Sequence, residues 1–376
     1  MHKTSAWPLA QAYVALIVYA SLYPFAGWHD QGLPAWEFLW SPLPPKYWTG
    51  FDVGINIVGY VPFGFLLALS FLRRGSERFT PTNNVAAVAV SVLFAGLLSF
   101  CMEMLQSYLP SRVASNLDLV LNILGAAAGA VLATVLELAG AIDRWSNFRG
   151  RWFVRDARGA LVLLALWPFA LLFPPAVPLG LGQVFERLES GLAEWLEGTP
   201  FLDWLPVRDV ELQPLVPGVE LICVALGALV PCLLGYSIVR TAPRRALFAI
   251  AAIGAGVAAT ALSAALSWGP THAWAWLSLP VQLGLVAGLV LALVLLPVPP
   301  RGCAALVLLA LVVHLSLLNQ APASEYFTQT LKTWEQGRFI RFNGLAQWLG
   351  WLWPYVTLAY VLVRVSRSDT QNRIEG

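Results

Sequence analysis

Runs of about twenty apolar residues, each bounded by short polar or turn-forming segments, recur along the whole chain. They fall at 8–27, 53–72, 85–106, 117–139, 159–177, 219–239, 245–267, 275–296, 303–319 and 345–364. Each is long enough to cross a hydrocarbon core roughly 30 Å thick. In lipid the backbone must satisfy its own hydrogen bonds, which leaves helices or a closed barrel. Unbroken apolar runs favour helices over the alternating strands of a barrel. The pattern therefore predicts an all-α, polytopic transmembrane helical bundle of about ten spans. The last two runs are interrupted by polar or turn-forming residues. The first resembles a secretory leader, but no small-x-small cleavage site follows it, so it is read as a retained helix.

Composition agrees with a lipid solvent. The 376 residues are 58% hydrophobic and 12% charged, about half the charged fraction of an ordinary soluble domain, and the mean hydropathy is +0.67. Positive charge also gives an orientation. With the N-terminus inside, only Lys46, Arg112, Arg187, Arg208, Lys332, Arg338 and Arg341 of the 23 Lys and Arg fall on the outer side. That bias predicts both termini in the cytoplasm. Residues 141–158 read as a basic cytoplasmic loop suited to anionic lipid. A net charge of +2 argues against a nucleic-acid partner. The four cysteines, Cys101, Cys223, Cys232 and Cys303, lie in or beside apolar runs without metal-ligand spacing, as packing residues do.

Against this background one phrase occurs twice. DVGINIVG at 52–59 and DLVLNILG at 118–125 both read Asp-x-x-x-Asn-Ile-x-Gly. Both open spans that run from outside to inside, so the copies are expected to be parallel and at the same depth. Spacings of four and seven residues place Asp52, Asn56 and Gly59 on one helical stripe, and Asp118, Asn122 and Gly125 on another. An Asp in the first turn suits the positive end of the helix dipole. The Gly in each copy is expected to admit a neighbouring backbone, and the Asn to hydrogen-bond between helices. Gly129 extends the small-residue stripe on the fourth helix. Pro62 and Gly64 predict a kink or locally opened backbone in the second.

The third span delivers Glu103 and Gln106, one turn apart, to the same level, and Arg112 occupies the short loop that follows. Glu103, Gln106, Arg112, Asp118 and Asn122 thus converge near the outer boundary, with Asp52 and Asn56 joining if the hairpins pack together. Charge at that depth is expected to face the bundle interior or a wet cavity. The Arg112 fork is the natural partner for the carboxylate of Glu103 or Asp118. Three readings fit this cluster: a self-satisfied lock on the hairpin, a polar pocket that binds a ligand, and a catalytic site.

Glu103-x-x-Gln106, LPSR ending at Arg112, and Asp118-x-x-x-Asn122-x-x-Gly125 together resemble the signature of VanZ-like membrane proteins. Asp52-x-x-x-Asn56 followed by YVPFG, Tyr60 to Gly64, is similar to an element of the same family, and SLYPFAGW, Ser21 to Trp28, is compatible with it. The resemblance covers roughly residues 10–140. It implies a bacterial envelope protein of the inner membrane. The family takes its name from a component associated with low-level resistance to teicoplanin-type glycopeptides. Residues 159–364 are not covered by it.

The second half adds further features. In GQVFERLESGLAEWLEG, 182–198, the residues Phe185, Leu188, Leu192, Trp195 and Leu196 share a helical face opposite acidic residues, which predicts an amphipathic helix at the outer interface. SEYFTQTLKTWEQ, 324–336, repeats the theme with Phe327, Leu331 and Trp334. Trp28, Trp36, Phe38, Trp40, Tyr47 and Trp48 crowd the first outer segment, as at a headgroup boundary. His314 and Gln282 are polar within apolar runs, and His272 lies in an outer turn; a hydrogen-bonded packing role is expected of His314. No P-loop, dinucleotide fingerprint, HExxH or GxSxG sequence is present.

The sequence thus predicts a VanZ-like four-helix unit over 1–140, the basic loop over 141–158, and a bundle of about six helices over 159–376. No cofactor or metal is expected. Asp52, Asn56, Glu103, Gln106, Arg112, Asp118 and Asn122 are the candidate ligand-binding residues. The preferred partner, besides membrane lipids, is an amphiphile such as a lipid-linked cell-wall intermediate or a lipoglycopeptide. A transporter or flippase using the same cluster is the first alternative. A membrane-embedded transferase or hydrolase with Glu103 or Asp118 as general base is the second.

Overall fold

The computed structural model describes residues 6–23, 25–32, 34–42, 50–73, 81–154, 156–204, 212–322 and 340–374. Among them the chain is all-helical, with one isolated bridge between Phe153 and Val239 and no strand. It forms two compact units, Met1–Phe148 and Arg149–Gly376.

The first unit contains α1 (Ala6–Leu22), α2 (Gly50–Leu72), α3 (Pro81–Gln106), α4 (Asn116–Leu138) and the start of α5 (Ala141–Trp152). The main seam joins α2 to α4, with α3 against both and α1 against α2 and α3. Apolar side chains meet between them, including Ile17, Tyr60, Phe63, Leu67, Met102 and Leu109. Successive contacts, Ile57 with Gly125 and Val61 with Gly129, advance together along both helices, so α2 and α4 are parallel. The duplicated phrase therefore does open two parallel, adjoining helices. α2 is helical straight through Pro62. At the far ends of α2 and α4, the Arg73 fork meets both Glu137 oxygens at 3.0 Å and Asp143 of α5 at 2.9 Å. Residues 141–158, expected as a basic loop, are helical over Ala141–Trp152, a stretch without proline.

The second unit contains α6 (Arg158–Ala170), α7 (Phe185–Leu196), α8 (Pro217–Tyr236), α9 (Ala242–Trp268), α10 (Leu279–Val294), α11 (Pro300–Leu318) and α12 (Ile340–Ile374). Four of these helices open on proline in the first turn, at Pro217, Pro243, Pro280 and Pro300, where the missing N–H costs no hydrogen bond. α8 is the central helix, touching α6, α9, α10 and α11. α6 and α12 are antiparallel: Gly159 faces Tyr360, while Ala170 faces Gly350. Arginines close the end of the unit where α6 begins. Arg245 binds the carbonyls of Leu296 and Val298, and Arg364 those of Asp156 and Ser237.

Each of the ten expected apolar runs carries a helix. Six helices among the described residues are long and apolar enough to cross a membrane: Asp52–Leu72, Asn83–Gln106, Asn116–Leu138, Pro217–Tyr236, Ala242–Trp268 and Pro300–Leu318. Ala6–Leu22, Arg158–Ala170 and Leu279–Val294 are apolar but shorter. The fifth run, expected as 159–177, stops being helical after Ala170. Pro174, Pro175, Pro178 and the glycines at 180 and 182 turn the chain into an irregular segment buried through Phe173, Val177, Leu179 and Leu181. The segment 324–336, with Phe327, Leu331 and Trp334, lies outside the described residues, as do Tyr47 and Trp48.

Candidate functional site

The polar cluster of the first unit is assembled where α1 ends, α3 ends and α4 begins. Ser115 stands just before α4 in extended backbone and accepts from the Asp118 amide at 3.3 Å, an N-cap. The Ser115 amide in turn donates to the Glu103 carboxylate at 2.8 Å. Glu103 is only 3% exposed, so this charge-assisted bond fixes the entry of α4 against the end of α3. One turn on, Gln106 donates to the Ser21 carbonyl at 3.1 Å. Both residues thus occupy the shared face that their spacing predicts.

Arg112 was expected to grip a carboxylate. Its Nη2 donates to the carbonyls of Ala20 at 3.1 Å and Tyr23 at 2.6 Å, at the end of α1. A buried cation at a helix C-terminus satisfies orphan carbonyls and meets the negative end of the dipole. Asn122 donates to Ser99 of α3 at 2.9 Å, the interhelical bond expected of it. The Tyr60 hydroxyl is buried beside Ser99 and Glu103. Sequence reasoning missed Asn116, which donates to Ser41 at 2.6 Å. The Ser-Asn-x-Asp run at 115–118 is the signal that marks it as the opening of a capped helix.

The structure divides the seven predicted residues. Glu103, Gln106, Arg112 and Asn122 are buried and tied to neighbouring elements. Asp52, Asn56 and Asp118 remain half-buried in the first two turns of α2 and α4. Two amide oxygens, Oδ1 of Asn116 and Oδ1 of Asn122, are buried without a hydrogen-bond partner among the described residues. The two glycines of the duplicated phrase also differ. A Cβ on Gly125 would stand 2.2 Å from the Ile57 carbonyl oxygen, whereas one on Gly59 would meet nothing within 4 Å. The close approach expected at Gly59 is made on α2 by Gly64, where a Cβ would fall 2.0 Å from the Ala126 oxygen. Gly59 contributes its carbonyl, which accepts from Tyr13 of α1 at 2.9 Å.

In the second unit His314 is 2% exposed and lines a narrow space with Trp167, Leu179, Val230 and Trp353. One ring nitrogen is satisfied by the Cys223 carbonyl and Nδ1 has no partner among the described residues. Gln282 donates to the Leu277 carbonyl just before its own helix and His272 contacts Thr271, both local contacts. Asn319, which follows α11 and was not singled out from sequence, is the hub of this unit. Its Oδ1 accepts from the Val184 and Phe185 amides at 3.1 Å, and its Nδ2 donates to Leu315 and Gly182. Among the described residues no group of three or more His, Cys, Asp or Glu is placed to hold a metal ion.

Helices of this length and apolarity, with a buried polar brace at one end of the first four, define a multi-pass membrane protein with a distinct N-terminal four-helix unit. Residues 4–137 match the family described as VanZ/LLP1. The N-terminal unit is therefore VanZ-like, and the remainder is a long extension outside that match. No curated protein and no solved structure matches the chain.

Proposed function

We propose that the chain is a bacterial inner-membrane protein whose VanZ-like unit binds an amphiphilic envelope molecule at the Asp52–Asp118 end. The observation that carries this reading is the pair of buried, unsatisfied amide oxygens on Asn116 and Asn122, beside half-buried Asp118. Buried acceptors are nearly always satisfied, so a ligand that brings hydroxyl or amine donors fits there. Asp52 and Asp118 set a negative field that favours such donors, and Asn56 orients them. Glu103, Gln106, Arg112 and Asn122 hold the walls. A lipid-linked cell-wall intermediate or a lipoglycopeptide has the required chemistry: donors on a polar head and a chain soluble in the bilayer. Ten crossings with both termini cytoplasmic, as positive charge suggests, turn this end toward the outer leaflet.

Native mass spectrometry on the purified protein, with extraction of retained molecules, tests the reading. Wild type is expected to retain a distinct amphiphile that Asp52→Asn and Asp118→Asn lose while melting normally. Retention of the same bulk lipids by all three proteins refutes a binding role. Labelling of single cysteines placed near residues 114 and 140 tests the orientation: only the first is expected to react from outside intact cells.

A further inference from the structure

A second site stands in the other unit, at the end of α6 and α12 opposite Arg364. A small open cleft lies there, walled by Phe173, Pro174 and Pro175 after α6, by the 180–183 segment, and by Trp351 of α12. Arg187, in the first turn of α7, is its cation. The guanidinium carbon sits 5.0 Å from the centre of the Trp351 ring, so the planar fork is held by the indole face rather than swinging in solvent. Burial pushes Arg187 below its ordinary pKa, with the carboxylate of Glu186 acting in the opposite direction. A cation that has lost part of its hydration gains from an anion. The cleft floor is firm: Gly182 donates to Gly350 at 2.9 Å, Tyr355 donates back to Gly182 at 3.0 Å, and Asn319 clamps the start of α7. Directly after Arg187, α7 exposes Leu188, Leu192 and Trp195 on one face.

A half-buried guanidinium stacked on an indole beside a proline wall, continued by an apolar helix face, matches one ligand chemistry. We infer that this cleft binds the phosphate headgroup of an anionic amphiphile, with Arg187 on the phosphate oxygens and the chain laid along Trp351 and the exposed face of α7. The Arg fork fits phosphate through paired hydrogen bonds, which an ammonium cannot reproduce. The inference does not depend on the ligand reading of the first unit, because no residue is shared.

Photolabelling of the purified full-length protein in nonionic detergent tests it, using hexadecyl phosphate with a diazirine in the chain and peptide mass spectrometry. Adducts are expected within 173–195 and around Trp351. Unlabelled hexadecyl phosphate is expected to suppress them, while hexadecanol and inorganic phosphate at the same concentration do not. Arg187→Gln is expected to reduce labelling roughly tenfold with an unchanged melting profile, and Arg187→Lys to restore only part. Equal competition by hexadecanol overturns the role of the phosphate, and equal competition by inorganic phosphate overturns the amphiphile. Should Arg187→Gln fail to fold, the wild-type competition series still decides.

Discussion

Gly59 and Gly125 occupy the same place in the two copies of Asp-x-x-x-Asn-Ile-x-Gly, yet alanine is expected to have opposite effects at them. At Gly125 the added methyl would lie 2.2 Å from the Ile57 carbonyl oxygen and 2.9 Å from its carbon. An ordinary carbon–oxygen contact is about 3.3 Å, so α2 and α4 would have to separate by roughly 1 Å. The obstructing atoms are backbone, which has no rotamer to escape into, and the same seam is held at Gly64 and Gly129 by equally close contacts. Overpacking costs about 1–3 kcal/mol and a rigid neighbour puts this site at the upper end. About 3 kcal/mol corresponds to roughly a hundredfold rise in the opening equilibrium. At Gly59 nothing lies within 4 Å, and alanine gains about 0.8–1.0 kcal/mol of helix propensity. Peptide-resolved hydrogen exchange in detergent is the assay, because it reads α2 and α4 separately from the second unit. Gly125→Ala should speed exchange in both helices, and Gly59→Ala should leave it unchanged or slow it. Equal effects at the two positions would refute the asymmetric seam.

Other substitutions probe the braces. Glu103→Ala leaves the Ser115 amide without its acceptor and should lower stability by about 1–3 kcal/mol, read as a lower melting temperature, with Glu103→Gln costing less. Arg112→Met removes the donor to Ala20 and Tyr23, so exchange should rise at the C-terminal end of α1 before that of α2. Asn319→Leu strips the Val184 and Phe185 amides of their acceptor. A thiol-reactive dye should then report earlier unmasking of buried Cys223, Cys232 and Cys303 over a baseline set by exposed Cys101. Arg73 is one-quarter exposed, so a double-mutant cycle with Glu137 should return no more than about 1 kcal/mol, declining with salt. A larger, salt-independent coupling would contradict that screening argument.

Hydrophobic run length made the helices legible, since lipid leaves the backbone few alternatives, and the i, i+4 spacing made the Asn122 stripe legible for the same geometric reason. The amphipathic period over 182–198 likewise located α7, whose Leu188 and Trp195 are exposed. Partner choice was not legible. The charge of Arg112 does not reveal that it also binds the carbonyls that end α1, because only the packing of α1 against α3 brings those carbonyls within reach. Nor does a glycine in a helix reveal whether a backbone lies against it. Gly59 and Gly125 share the Asp-x-x-x-Asn-Ile-x-Gly pattern and differ because α4 meets α2 at Ile57 and Val61, on another side of α2 from Gly59.

That asymmetry bears on how the duplicated phrase works. In α4 it has become a packing surface: Gly125 touches α2, Asn122 binds α3, and Asp118 sits in a turn capped by Ser115 and locked by Glu103. In α2 the Gly contributes its carbonyl to Tyr13, and Asp52 and Asn56 stay half-buried. The two copies are therefore used differently: the α4 copy packs through Gly125 and Asn122, whereas the α2 copy offers the Gly59 carbonyl to α1 and leaves the close approach to Gly64. If Asp52→Asn and Asn56→Leu leave melting intact but change which molecule is retained, whereas Asn122→Leu lowers melting, the two copies have divided scaffold from recognition. If all three lower melting alike, the cluster is a brace throughout, and the Arg187 cleft becomes the place to look for the ligand.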